Sequence, residues 1–293
     1  AGSELITVAA DRDFSSDTGW WGKSARVTIA DGVCHFTNVA QYGGLVKSVL
    51  TLGKFYKITL TVTNYVSGNI RYAAGGNVTT VSANGTYSSY ILCTGNTNIA
   101  ITTGIDGATY NIDNISYEEI GWSGSQELYD GIYAQTAGTV EQKTYAAVKA
   151  AAMWRSPNND VARAAVYGKH YNKFALKLLK MDIAYFNTAN PTALWGWHVA
   201  TRAENTTLAT VDGNALKATG ANYWNIANGT NTSGATILGG GYTASNGTYT
   251  DEKVSTLLMC EDADFARKVV DGSNSVDEVA ITTEGGIIRL IKN

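Results

Sequence analysis

Aromatic rings interleaved with amide side chains are the residues of this chain best suited to chemistry. Trp20, Trp21, Tyr42 and Tyr72 fall early, while Tyr223, Trp224, Tyr242 and Tyr249 are set among Asn225, Asn228, Asn231 and Asn246. Ring faces stack on the apolar faces of pyranose rings, and nearby amides bond the hydroxyls. Tyrosine loses little entropy on ordering, and asparagine both donates and accepts. The candidate ligand-binding residues are therefore Trp20, Trp21, Tyr42 and Tyr72 in the first half, with Tyr223, Trp224, Asn225, Tyr242, Asn246 and Tyr249 in the second. Each ring has a competing place in a hydrophobic core. Tyr249 and the asparagines are expected on an exposed loop face.

Residues for other chemistries lack the spacing those chemistries need. His35, His170 and His198 form no His-x3-His pair, and there is no Gly-x-Ser-x-Gly elbow, phosphate loop or dinucleotide fingerprint. Glu118-Glu119, Glu261-Asp262 and Asp277-Glu278 pair carboxylates in sequence, but neighbours on a strand point to opposite faces, whereas a glycosidase needs two across one cleft. Cys34, Cys93 and Cys260 are odd in number and far apart, which suits buried apolar residues better than a disulfide framework. The expectation is a binding protein with no catalytic residues, no metal and no cofactor. A net charge of -3 without a basic stripe excludes a nucleic-acid partner, because phosphate binding needs clustered cations. No run of about 18 apolar residues is present, so no membrane span is expected.

The elements that must position these residues change character along the chain. From Glu4 to Ile120 the pattern alternates with period two, most cleanly where Tyr56, Ile58, Leu60 and Val62 share one strand face and Lys57, Thr59, Thr61 and Thr63 the other. Turn signals such as Asp31-Gly32, Gly75-Gly76 and Asn84-Gly85 recur at short spacing, as in a β-sandwich. Gly121-Trp122-Ser123-Gly124-Ser125 reads as a linker. Beyond it, residues 139–154 predict a helix capped by Thr139 with Gln142 in a capping box, turning Tyr145, Val148 and Ala152 inward. Further helices are expected over 162–179 and 200–208, then irregular chain from Ala209 to about Val276, and a central closing strand over 286–293. The length suits two domains, placed at 1–120 and 121–293.

Motifs in both halves resemble known families. Glu4-Leu5-Ile6, Asp13-Phe14-Ser15, Gly19-Trp20, Gly53-Lys54-Phe55-Tyr56 and Tyr110-Asn111-Ile112-Asp113-Asn114-Ile115 resemble jelly-roll modules akin to carbohydrate-binding modules. The ordered series Tyr167-Gly168-Lys169-His170-Tyr171-Asn172, Gly196-Trp197-His198-Val199, Ala215-Leu216-Lys217-Ala218-Thr219-Gly220, Gly239-Gly240-Gly241-Tyr242 and Arg289-Leu290-Ile291-Lys292-Asn293 looks like the Fibrobacter-type major paralogous domain, which is related to C-type-lectin-like folds. The resemblance implies an N-terminal all-β jelly-roll sandwich followed by an α+β C-type-lectin-like domain, with His198 buried and hydrogen-bonded. It further implies a tail or fibre protein of Bacteroides-infecting, crAss-like phages: a virion component, trimeric by the usual fibre symmetry, that meets a host-surface glycan or receptor and other virion proteins. The alternative is a bacterial cell-surface glycan-binding protein.

Overall fold

The computed structural model describes residues 3–189, 197–260, 262, 264–288 and 290–292. The chain divides into two compact units, Ala1–Gly124 and Ser125–Asn293.

Unit 1 contains, in chain order, β1 (Ser3–Glu4), the short helix α1 (Ala9–Asp13), β2 (Gly22–Lys23), β3 (Val27–Ala30), β4 (Val33–Val39), β5 (Gly44–Ser48), β6 (Phe55–Ser67), β7 (Ile70–Ala74), β8 (Asn77–Val81), β9 (Gly85–Leu92), β10 (Asn98–Thr103) and β11 (Ala108–Ile120). They form two antiparallel sheets: β3-β4-β11-β6-β9 with β1 added at β11, and β2-β5-β10-β7-β8. Tyr56, Ile58, Leu60 and Val62 of β6 are all buried, so the period-two pattern turns one face into the core as expected. The five-stranded sheet contributes Leu45, Ile70, Tyr72, Ile99 and Ile101 to the same core. Each sheet is thus wet on one side and dry on the other, which is the arrangement of a β-sandwich.

Unit 2 is an α+β unit. Where the sequence reads as a linker, a single 3-10 turn at Trp122–Gly124 runs directly into α2 (Ser125–Gln135), which buries Leu128 and Ile132. Then follow α3 (Val140–Ala151), β12 (Trp154–Arg155), α4 (Val161–Tyr167), β13 (His170–Asn172), α5 (Lys173–Ala189), β14 (Trp197–Val199), α6 (Arg202–Ala209), α7 (Gly213–Leu216), β15 (Gly240–Thr243), β16 (Tyr249–Glu252), β17 (Ser255–Met259), β18 (Phe265–Val270), β19 (Val276–Ala280), β20 (Gly285–Ile288) and β21 (Leu290–Lys292). The main sheet runs β12-β13-β20-β15-β17-β18-β19, and β14 pairs with β21.

The capping box forms as read: Thr139 Oγ1 accepts from the Gln142 N–H at 3.3 Å, and Gln142 Oε1 accepts from the Thr139 N–H at 2.9 Å. Thr139→Ala is expected to destabilise unit 2 by about 1 kcal/mol, measurable as a lower urea midpoint at unchanged slope. The inward face differs from expectation. Ala147, Val148 and Ala151 are buried, whereas Tyr145 is exposed and Ala152 is the extended cap residue that ends the helix three positions early. The run read as one helix over 162–179 is two. Gly168 at φ +84 stops α4, and His170–Asn172 enter the sheet before α5 begins. Asn172 fastens this break: its Oδ1 accepts from the Met153 and Ala175 N–H groups, and its Nδ2 donates to the Ala151 carbonyl.

The stretch expected to be irregular between 209 and 276 holds four strands. β17 is buried at all five positions, so it carries an unbroken run of interior residues with no alternation to read. β20 lies centrally, as the closing strand was expected to, but the terminal segment divides between two sheets. Two apolar clusters fill unit 2, one including Leu176, Val199, Leu257 and Met259, the other Leu216, Trp224, Ile237, Leu258 and Val269.

Candidate glycan-binding face

Strand register sets out the outer face of the five-stranded sheet in unit 1. Leu45, Ile99, Ile101, Ile70 and Tyr72 point inward, so the alternate residues lie on the opposite face, where Val46 and Val78 are exposed, Ala100, Thr102 and Arg71 are half-buried, and Ala73 and Gly44 are buried. Val46, Ala100, Ala73 and Val78 are cross-strand neighbours in one row over β5, β10, β7 and β8. The next row is Gly44, Thr102, Arg71 and Thr80, and on the other side Ser48 pairs with Asn98. An apolar strip between two polar rows is a surface on which one sugar face finds carbon and its edges find hydrogen bonds.

Tyr42 stands at the edge of this face, next to the row that holds Gly44 and Arg71. It adopts φ +63, a left-handed conformation that costs a non-glycine residue about 1–2 kcal/mol. The surrounding loop holds it there. The Tyr42 N–H donates to the Thr103 carbonyl at 2.9 Å, Gln41 Nε2 to the Gly104 carbonyl at 2.8 Å, and the Gln41 N–H to Asp106 Oδ1 at 2.7 Å. Gly44 is obligatory nearby, because a Cβ there would lie 1.9 Å from the Ile101 carbonyl oxygen. The product of this strain is a ring left 64% exposed, with the Arg71 guanidinium 5.1 Å from its centroid. Arg71 escapes a search for aromatic and amide residues, although its place between inward Ile70 and Tyr72 marks it as outward-facing.

The other rings expected in unit 1 are less available. Trp20 is half-buried against the core, edge-on to Trp21 at 4.7 Å, with the Lys47 ammonium 5.1 Å from its ring. Trp21 and Tyr72, expected as binding residues, are buried instead: the Trp21 indole donates to the Asp11 carbonyl at 2.9 Å, and the Tyr72 hydroxyl bonds Ser89 at 2.8 Å. Both rings fill the sandwich and satisfy their polar ends inside it.

In unit 2 the expected recognition loop is mostly framework. Trp224 is fully buried and donates to the Ile237 carbonyl at 3.0 Å. Tyr223 and Tyr242 are half-buried on the two apolar clusters. Tyr249 is not on an exposed loop: it starts β16, donates to the Gly240 carbonyl at 3.3 Å and lies 5.8 Å from the His170 ring. Asn225 and Asn246 are exposed, but Asn246 Oδ1 is engaged by the Thr248 N–H and hydroxyl, which builds the β15–β16 turn. Asn231 likewise holds Thr236, and Asn228 accepts from Lys217. Asparagines in a segment with few ladder bonds serve its own backbone first.

Several titratable groups are paired within the fold. His198 is half-buried rather than buried, and its Nε2 lies 2.9 Å from Glu204. The Thr201 backbone N–H and His198 hold the Glu204 carboxyl down at about 2. Asp277 and Glu278 of β19 are exposed, yet Glu278 pairs with Arg202 and Arg267. Cys34, Cys93 and Cys260 are buried, and burial pushes the Cys34 thiol up to about 12. Among the described residues no three His, Cys, Asp or Glu side chains are grouped to hold a metal ion, and no helix is long and apolar enough to cross a membrane.

No protein-family model and no curated protein matches this chain. Among solved structures it is similar to a mannan-binding module in its bound conformation, at 17% identity and TM-score 0.29, over 35% of this chain and 95% of that one. A xylan-binding domain from Paenibacillus barcinonensis is similar at 13% identity and TM-score 0.28, over 41% and 96%. The N-terminal cellulose-binding domain of a Cellulomonas fimi β-1,4-glucanase is similar at 15% identity and TM-score 0.27, over 37% and 93%.

Proposed function

We propose that this chain is a non-enzymatic glycan-binding protein whose unit 1 takes saccharide on the outer face of the five-stranded sheet. The observation that carries the reading is Tyr42, an aromatic ring held out in a strained backbone conformation at the edge of a face with an apolar strip and polar flanks. Strain of this kind persists where the surrounding structure imposes it, and it collects at ligand sites. In the fuller form of the proposal, the chain is a fibre component of a phage virion, repeated in a homo-oligomer that meets host-surface glycan. Support for that form comes from the motif series in the two halves, and multiple copies would turn weak single contacts into avid binding.

Tyr42→Gly separates function from stability. Glycine adopts positive φ freely, so the thermal midpoint of the variant is expected to stay level or rise. Saccharide binding on a glycan array is expected to fall about tenfold, the worth of one stacked ring at about 1.4 kcal/mol. Unchanged binding would remove the face from consideration, and a lower midpoint would make Tyr42 a packing residue.

A further inference from the structure

Unit 2 carries a concave surface whose described lining includes none of the expected binding residues. β12 pairs with β13 so that Trp154 lies opposite Tyr171. Trp154 is 58% exposed, and the Lys169 ammonium sits 3.6 Å from its ring centroid. Beside this pair is a cavity of about 500 Å³ walled by Trp154, Tyr171, Leu178, Leu179 and Ile288, with Lys149 at its edge. A second cavity of about 360 Å³ adjoins it, sharing Tyr171 and Ile288 and including Lys169 and Leu238.

Among the described residues the charges around this groove are one-sided. The chain as a whole has 25 acidic against 22 basic side chains, yet among the described residues the charged side chains lining the two cavities are Lys149 and Lys169, with no carboxylate. Neither ammonium has an ion-pair partner among the described residues. Lys149 lies 5.9 Å from the Tyr145 ring, and Lys169 lies over Trp154. Both side chains are exposed, so each ammonium can meet an incoming anion without giving up a bond to the protein. Cavities of about 300–1,000 Å³ with apolar walls and few polar groups suit small molecules.

We infer that this groove binds a small amphiphilic carboxylate, its apolar body against Leu178, Leu179, Ile288 and the two rings, and its carboxylate between Lys149 and Lys169. A polar acidic sugar would leave the aliphatic wall uncovered. A neutral amphiphile would leave both cations without a counter-charge.

Isothermal titration of the full chain with decanoate, 1-decanol, decyltrimethylammonium and glucuronate, each below its aggregation limit, tests this. Decanoate is expected to bind at least tenfold more tightly than the other three. The double variant Lys149→Gln with Lys169→Gln, at two exposed positions, is expected to reduce decanoate binding at least tenfold while the thermal midpoint holds. Tyr42→Gly is expected to leave decanoate binding intact, which keeps this site distinct from the glycan face. Absence of decanoate binding, equal binding of 1-decanol, tighter binding of glucuronate, or full affinity in the double variant would each overturn the proposal.

Discussion

Lys217→Met is expected to destabilise unit 2 by about 3 kcal/mol, a large share of the stability of an ordinary domain. Lys217 is completely buried, and its ammonium donates to Asn214 Oδ1 at 3.0 Å, Asn228 Oδ1 at 3.2 Å and the Ser273 carbonyl at 2.8 Å. Asn214 lies three residues before Lys217, whereas Ser273 lies in the β18–β19 turn, so one side chain closes the 214–228 loop onto that turn. The stem is already buried, and Trp224 lies 5.5 Å from the ammonium. Methionine therefore gains little apolar burial while it leaves three acceptors without their donor. An unsatisfied buried group costs about 1–3 kcal/mol, and part of that is recovered if water enters.

Lys217 carries a cost of its own. Burial lowers its pKa, although Asp271 and Asp212 oppose the shift. A lowered lysine pKa means that the fold disfavours the ammonium, so stability should rise with pH from the folded value towards the ordinary one. The methionine variant should lose that rise. The check is hydrogen exchange at the Ile237 N–H, which bonds the Leu216 carbonyl at 2.9 Å beside Lys217. Undiminished protection in the variant would show the network to be dispensable.

Much of unit 1 was legible because a two-sided sandwich writes itself as alternation. Tyr56, Ile58, Leu60 and Val62 are each buried, and their neighbours are not, so hydropathy and burial coincide. The Thr139 cap was legible for a similar reason: two side chains three residues apart suffice to build it. Unit 2 resisted where burial was complete or where one residue broke a pattern. β17 has no wet face to alternate with, and Gly168 interrupts a helical periodicity that continues on both sides of it. The site was least legible. Trp21 and Tyr72 share the residue types of a sugar platform but lie inward: strand phase turns Tyr72 into the core, and Trp21, just before β2, is held in by its bond to the Asp11 carbonyl. Tyr42 occupies a turn outside any alternation, so its exposure depends on bonds to Thr103, Gly104 and Asp106, about sixty residues away in sequence.

Unit 2 should also lose about 3 kcal/mol of stability on acidification between pH 6.5 and about 4, and His170 is the cause. The side chain is fully buried, with Nε2 3.1 Å from the Gly240 carbonyl and Nδ1 3.1 Å from Thr243 Oγ1. A carbonyl only accepts, so Nε2 carries the hydrogen and Nδ1 accepts from the Thr243 hydroxyl. This neutral imidazole satisfies both partners, and a second proton would break the Thr243 bond inside a dry site. Burial accordingly pushes the pKa down from 6.5 to about 4, helped by the nearby Arg155 charge and opposed by the Gly240 bond. Because the folded value lies below the unfolded one, the unfolded chain takes up the proton first as pH falls. The stabilisation is complete above pH 6.5, drains away between 6.5 and 4, and falls no further on this account below that. The Glu204 carboxyl contributes stability that is lost between its ordinary 4.5 and about 2, so it meets the His170 window only at its acid end, and the range from 6.5 to 4.5 reports on His170 without it. His170→Gln keeps an N–H for Gly240 and an acceptor for Thr243 but cannot titrate. Its unit 2 should start less stable and show a much flatter profile over the same range. Hydrogen exchange of the β15 amides against pH in both proteins decides the matter. Parallel profiles for parent and variant would assign the acid sensitivity to some other group.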